Sequence, residues 1–390
     1  MRLLIVIPAL VSYTSFLREL CRSLVADGAE VHLACSPKKL WDERDPVKED
    51  GVHLHGIKFP RGMNPAAHLR AARALNRLVE KLRPDFVHVH FSSAIFTTAL
   101  ARTRRWPVTH ATFHGVAFLA MTGWKSALLR LMETWAARRF DVAWVLTDDD
   151  RERLSAAAPR ANVRRLPGFG VGCDIGKFQP LAPREREARR AELGFAPHHV
   201  VFVFVGRFVN FKGFGQAVRA FFRVAETHNT VRLLLVGSGD SLHPTGLTAI
   251  EEEALRASPL VHDAGFRNDV ERFLPAADVM VFPSQREGMP VCLMEALAVG
   301  LPAITRDARG SREVVRDGVD GWVLRDCTDE NLSNAMSKLA NDSATRREMA
   351  ARALEGRERF ARARFVAEQT RIYETSLQTS GQSVAVEGVK

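Results

Sequence analysis

Short apolar runs that alternate with amphipathic helical stretches, twice over, constrain what this chain can fold into more than any other feature. Residues 3–7, 30–34, 86–90, 108–113 and 142–146 read as buried strands, and residues 16–25, 66–82 and 125–138 carry helical spacing between them. Strands buried on both faces, each followed by a helix, call for a parallel sheet covered on either side. Pro167, Gly168, Gly170, Gly172 and Pro180 then crowd one loop, and residues 184–190 form a charged, helix-prone spacer. The pattern restarts at 200–205 and continues through 232–236, 279–283 and 303–305. At 390 residues the chain exceeds what one hydrophobic core usually serves. The economical architecture is α/β, with two doubly wound, Rossmann-like domains facing each other across a cleft. Residues 1–178 and 179–375 are the expected domains, and the polar stretch 376–390 reads as a disordered tail.

Composition narrows the class further. With 46% hydrophobic and 26% charged residues, the chain is neither mainly disordered nor membrane-embedded. Its longest apolar run, residues 3–11, falls well short of the ~20 residues that span a bilayer. It also lacks the Lys/Arg-rich leader and small-residue cleavage site of a signal peptide, so the expected location is the cytoplasm. Cys21, Cys35, Cys173, Cys292 and Cys327 are scattered and form neither a disulfide framework nor a metal-ligand pair, which fits a reducing compartment. Formal net charge is +10, and all of that excess lies in residues 1–180. One face or domain is therefore expected to meet an anion. Nucleic acid, an anionic lipid surface and a phosphorylated substrate all fit, as does a merely solvated basic surface.

Ligands of open α/β sheets bind at the carboxyl ends of the strands. Past the strand at 200–205 stands Gly206-Arg207-Phe208-Val209-Asn210-Phe211-Lys212-Gly213, with two cations five residues apart in a glycine-bracketed loop. Two such charges suit a diphosphate, and glycine lets backbone approach it. By itself the loop reads as a solvated basic turn. The strand at 279–283 runs into Ser284-Gln285-Arg286-Glu287-Gly288-Met289-Pro290, with helical spacing over 291–299. Pro290 suits the first helical position, and the free N–H groups that follow form an anion site. Glu287 stands just outside that positive end, and Glu295 lies further along the helix. A carboxylate can accept hydrogen bonds from two neighbouring hydroxyls, such as a ribose diol or a hexose edge.

These elements together resemble the retaining GT-B glycosyltransferases of family 4. The match is Gly206-Arg207-x4-Lys212-Gly213, followed by Pro283-Ser284-x-x-Glu287-Gly288-x-Pro290-x4-Glu295-Ala296-x-Ala298-x-Gly300-x-Pro302. The later Asp307-x-x-Gly310-x-Arg312-Glu313-x-Val315-x-Asp317-Gly318-x-x-Gly321 is similar to the branch that builds bacterial capsules, O-antigens and exopolysaccharides. The resemblance implies a nucleotide-sugar donor, usually a UDP-sugar, and a hexose or N-acetylhexosamine transferred with retained configuration. It implies a glycan acceptor carried on a lipid diphosphate. Arg207 and Lys212 would bind the donor diphosphate, with Gly206 beside them. Glu295 would hold the ribose hydroxyls, and Glu287 with the backbone of Gly288, Met289, Pro290 and Val291 would position the sugar. Arg267, in Gly265-Phe266-Arg267-Asn268-Asp269, falls where the family lines the base pocket. His114, in Thr112-Phe113-His114-Gly115, matches the family's His-Gly pair beside the reacting sugar.

His88 and His90, two apart on one strand, share a face and could suggest a metal, but no acidic or thiol cluster accompanies them, and they read as packed or hydrogen-bonded structural histidines. Asp148-Asp149-Asp150 contains the Asp-x-Asp pair that holds a divalent ion in other nucleotide-sugar enzymes. With Thr147 in front it reads instead as a helix start, so neither metal nor cofactor is expected. Trp124, Lys125, Leu128, Leu129, Arg130, Met132, Trp135, Arg138 and Arg139 mark a basic amphipathic stretch over 124–139. It suits either the inner face of a membrane or a core-facing helix with a solvated basic side. Where many relatives carry paired glycines after the first strand, residues 8–13 differ, and the relatives' Gly-Val-Asp linker is interrupted at 170–174. The rival functions are a nucleotide-sugar epimerase or glycan phosphorylase on the same fold, and a non-catalytic nucleotide-sugar-binding partner. A sequence-specific nucleic-acid binder lacks any recognition motif here.

Overall fold

The computed structural model describes residues 1–36, 46–60 and 62–387. The chain divides into two compact units, one of residues 1–171 together with the chain from Ala363 onward, the other Gly172–Arg362.

The first unit holds a seven-stranded parallel sheet. Its strands are β1 (Arg2–Ala9), β2 (Glu30–Ser36), β3 (His53–Gly56), β4 (Phe86–His90), β5 (Val108–Phe113), β6 (Val142–Val145) and β7 (Val163–Arg165), in the order β3-β2-β1-β4-β5-β6-β7. Every residue of β4 is buried, as a central strand between two helical layers requires. Helices Pro65–Leu82, Ser92–Ala101 and Gly123–Ala137 contribute Leu75, Ile95 and Ala136 to the core against Val87, Val89 and Phe113. Residues 8–13, expected as a loop, extend β1 to Ala9 and begin a helix at Leu10. A π-helical turn follows over Tyr13–Leu17, where the buried Tyr13 hydroxyl donates to Asp50 Oδ2 at 2.7 Å.

The second unit holds a six-stranded parallel sheet made of β8 (Val200–Phe208), β9 (Val231–Gly239), β10 (Val261–Asp263), β11 (Val279–Phe282), β12 (Ala303–Arg306) and β13 (Gly321–Leu324). Their order is β10-β9-β8-β11-β12-β13. The connection direction reverses between β8 and β11, so their carboxyl ends flank a switch point, where open α/β sheets take ligands. In the first unit the reversal falls between β1 and β4.

The C-terminal region differs from the sequence expectation. Helix Arg362–Glu387 groups with the first unit, not with the second, and it passes through the stretch expected as a disordered tail from 376. Residues 388–390 of that stretch lie outside the described residues. Two facts account for the change. Tyr373 is fully buried, its hydroxyl 2.7 Å from His88 Nδ1, which anchors the helix in the first core. No proline breaks the polar segment beyond it, and the Ser376 and Thr379 hydroxyls donate to carbonyls one turn back at 2.7 and 2.9 Å.

Candidate active site

The two loops at the second unit's switch point are bound to each other. Gln285 N–H donates to the Phe211 carbonyl at 2.9 Å, which ties the loop after β11 to the loop after β8. Gly213 makes that approach possible. Its φ is +76°, and a Cβ there would stand 2.5 Å from the Pro283 carbonyl oxygen. Across this junction Lys212 Nζ donates to Glu287 Oε1 at 2.6 Å, and the Ser284 hydroxyl reaches the same oxygen at 2.6 Å. Gly310, φ +79°, packs against the other side of the Glu287–Pro290 turn, where a Cβ would meet the Gly288 carbonyl oxygen at 2.5 Å.

Arg207 projects from the end of β8, where register places Gly206 opposite Gly237 and Arg207 opposite Ser238 of β9. Its Nη1 donates to Asp240 Oδ2 at 2.6 Å, while its guanidinium lies 5.3 Å from the centre of the Phe211 ring. Asp240 is itself held by Leu242 N–H at 2.8 Å, and that backbone bond, with His243 and Arg207, keeps its carboxyl below the usual range. Arg286 covers the same Phe211 ring at 4.5 Å. Two guanidiniums thus share the Phe211 ring, the Lys212 ammonium lies 5.6 Å from the centre of the Phe282 ring, and Asp240 and Glu287 engage Arg207 and Lys212. Displacing those acids with an anionic ligand is the chemistry this arrangement can perform.

The remaining sequence-expected residues fall around that core. Met289 and Pro290 are buried, and Gly288 and Val291 are partly so. Pro290 caps the Val291–Ala298 helix from the position before its first residue, one place earlier than expected. The carboxyl of Glu295, on that helix, makes no hydrogen bond or ion pair among the described residues. Burial raises its carboxyl to about 7, with Arg362 and Lys177 pulling it back down. Arg267 is not joined to the Lys212–Glu287 pair. It forms a two-pronged ion pair with Asp269, at 2.9 and 3.0 Å, and lies 5.0 Å from the Phe273 ring centre.

His114 belongs to the first unit, immediately past β5, and its Nε2 is 3.1 Å from His90 Nδ1. His88 is structural, bonded to Tyr373 and to Thr112 Oγ1 at 2.7 and 2.8 Å. His90 is buried and shares its hydrogen bond with His114. Thr147 caps the helix of Asp148–Ala157 by accepting from Asp150 N–H at 3.1 Å, and Asp148 and Asp149 pair with Arg151 and Arg153. Asp240 was not singled out in the sequence, and Phe211, Arg286 and Ser284 stood within its motifs without a role. A signal for Asp240 was present, because it follows the glycines that end β9 just as Arg207 follows Gly206 at the end of β8.

The Gly123–Ala137 helix shows both faces anticipated for it. Glu133, Ala136 and Ala137 are buried, with Glu133 accepting from Ala117 and Phe118 N–H at 3.0 Å each. Trp124 and Leu131 are 72% and 68% exposed, beside exposed Lys125 and Arg130.

Comparison with known proteins bears on the family and the fold. Residues 185–355 match the model of the glycosyl transferases of group 1, and residues 13–168 match a glycosyl transferase 4-like domain. The chain is 27% identical over 288 residues to the Escherichia coli UDP-Gal:alpha-D-GlcNAc-diphosphoundecaprenol alpha-1,3-galactosyltransferase, covering 72% of this chain and 73% of that one. It is 25% identical over 322 residues to the capsular polysaccharide biosynthesis glycosyltransferase CapM of Staphylococcus aureus, covering 81% and 82%. To the D-inositol 3-phosphate glycosyltransferase of Actinosynnema mirum it is 30% identical over 295 residues, covering 69% and 67%. Among solved structures, Anabaena HepE in complex with UDP and glucose superposes with a TM-score of 0.77 at 17% identity, over 96% of this chain and 99% of that one. The two parallel-sheet units therefore make a GT-B fold, and the chain belongs to the group 1 glycosyl transferases.

Proposed function

We propose that the protein transfers a hexose or N-acetylhexosamine from a UDP-sugar, with retained anomeric configuration, to a glycan carried on a lipid diphosphate. The process served is bacterial surface-polysaccharide synthesis, at the cytoplasmic side of the membrane. The observation that carries the reading is the 2.6 Å contact of Lys212 with Glu287 in a junction shared with Arg207 through Phe211. The lipid-linked acceptor is supported by the name of the E. coli relative, and the polysaccharide by that of CapM.

In this reading the donor diphosphate takes the place of Asp240 on Arg207 and shares Lys212 with Glu287. Charge-assisted hydrogen bonds of this kind contribute about 1.5–3 kcal/mol each. They matter most as the bond from the anomeric carbon to the phosphate oxygen breaks and charge gathers on the leaving group. The acceptor oxygen bonds to the anomeric carbon on the face the phosphate leaves, and its proton passes to the departing phosphate oxygen. Glu287, held by Lys212 and the Ser284 hydroxyl, accepts from sugar hydroxyls and fixes the ring. Arg207 and Lys212 supply the neutralising charge, so the reaction needs neither divalent metal nor cofactor.

The test is slow hydrolysis of a panel of UDP-, GDP- and dTDP-sugars by purified protein without acceptor, with and without chelator. One UDP-sugar should turn over, undiminished by chelator, and release a free sugar of unchanged configuration. Arg207→Ala, Lys212→Ala and Glu287→Gln should each lower that rate about 10²–10³-fold. Near-normal rates in those variants, or loss with chelator and recovery with Mg²⁺, would overturn the reading.

A further inference from the structure

β4 and β5 are neighbours in the first unit, with His90 opposite Thr112, so the residues that leave their carboxyl ends come together. The rings of His90 and His114 share one hydrogen bond, Nδ1 to Nε2 at 3.1 Å. Burial lowers the pKa of both, that of His114 to about 4 and that of His90 well below its usual value. Both rings are therefore neutral near pH 7, and one proton lies between them.

Which ring supplies that proton follows from the far side of His90. His90 is 1% exposed, and its Nε2 has no hydrogen-bond partner among the described residues. If His114 donated through Nε2–H, His90 would carry its own proton on Nε2, a buried N–H without an acceptor. Orphaned buried N–H groups are rare and cost about 1–3 kcal/mol. If His90 donates through Nδ1–H, its Nε2 holds only a lone pair, and the proton of His114 must sit on Nδ1. That nitrogen makes no hydrogen bond among the described residues.

Phe91 holds the same ring from another direction. It adopts φ +71°, a region costly for a bulky residue, between the end of β4 and the Ser92–Ala101 helix. Its ring stacks on that of His114 at 4.1 Å and 13°, with Phe16 against both at 5.9 and 6.1 Å. Strain in the backbone is thus matched by an aromatic clamp on one imidazole.

We propose that His90 is a positioning residue that fixes His114 as its Nδ1–H tautomer, so that His114 offers a hydrogen-bond donor to a substrate hydroxyl oxygen. This rests on the reading of His114 as part of the sugar site. His114 then serves as neither a proton acid nor an acceptor in the reaction.

The experiment is long-range ¹H–¹⁵N correlation on ¹⁵N-histidine-labelled full-length protein, which reads the tautomer of each imidazole, combined with hydrolysis kinetics on UDP-glucose, UDP-galactose and UDP-N-acetylglucosamine. In the unaltered protein His114 should show a protonated Nδ1 and a bare Nε2. His90→Gln, whose amide can donate to the same Nε2, should keep that pattern and most of the rate. His90→Phe should mix the tautomers and lower kcat about 10- to 100-fold with little change in KM. A protonated Nε2 on His114, or an unchanged tautomer and kcat in His90→Phe, would overturn the proposal. An unaltered rate in His114→Ala overturns the site reading instead, and the spectra still decide whether His90 sets the tautomer.

Discussion

Among single residues, Glu295 gives the sharpest expectation, because its carboxyl titrates near pH 7 while half-buried. In the proposed donor site Glu295 would take the ribose hydroxyls; a carboxylate accepts from two of them and a carboxylic acid less well, so on that proposal UDP affinity should rise as pH increases from about 6 to 8. Glu295→Gln should flatten that dependence in a calorimetric titration with UDP. Stability runs the other way. A carboxyl raised from 4.5 to about 7 by folding contributes stability that is present below its unfolded value and lost as pH climbs through 7. At pH 8 Glu295→Gln should therefore melt higher than the unaltered protein without ligand, and a lower melting temperature would contradict the burial argument. Arg207, Lys212, Glu287 and Glu295 were singled out by their place in the sequence motifs, and the structure joins Lys212 to Glu287. Asp240 and His90 were not, because their importance lies in the partner each meets.

For whole elements, the sequence pattern found the central strands and missed the edges. The strands absent from the reading are β3, β7, β10 and β13, and each stands at an end of its sheet. The cause is physical: an edge strand has one neighbour and is only partly covered, so His53–Gly56 and Val163–Arg165 keep polar and charged residues and show no apolar run. Two expectations belong at this scale. Gly213→Ala forces a Cβ against the Pro283 carbonyl at positive φ, so it should destabilise the loop junction by about 1–3 kcal/mol and slow donor hydrolysis. Urea unfolding with a parallel rate assay would check both effects. Tyr373→Phe leaves His88 Nδ1 buried without its partner and should cost about 1–3 kcal/mol of stability in the same unfolding experiment. An unchanged midpoint would show that helix Arg362–Glu387 does not depend on that bond.

At the scale of the molecule, the +10 charge and its confinement to residues 1–180 bear on association. Trp124 and Leu131 stand exposed beside Lys125 and Arg130 on one helix of that unit, and among the described residues no helix is long and apolar enough to cross a membrane. The protein should co-sediment with phosphatidylglycerol vesicles, not with phosphatidylcholine vesicles, and lose the association at high salt. Trp124→Ala combined with Lys125→Ala should weaken it. Equal binding to neutral vesicles would assign the contact to apolar burial alone.

What the sequence determined by itself is the repeated strand-helix alternation, the two-unit division and the family signature. Burial periodicity and loop glycines are local properties that a linear chain displays. What the tertiary structure decided is which side chains meet: Lys212 with Glu287, 75 positions away, Arg207 with Asp240, 33 positions away, and His90 with His114. It also assigned the last helix to the first unit. Those pairings depend on the order of strands in a sheet, which places the ends of β8, β9 and β11 together, and that order is set by how whole elements pack, not by any stretch of residues read alone.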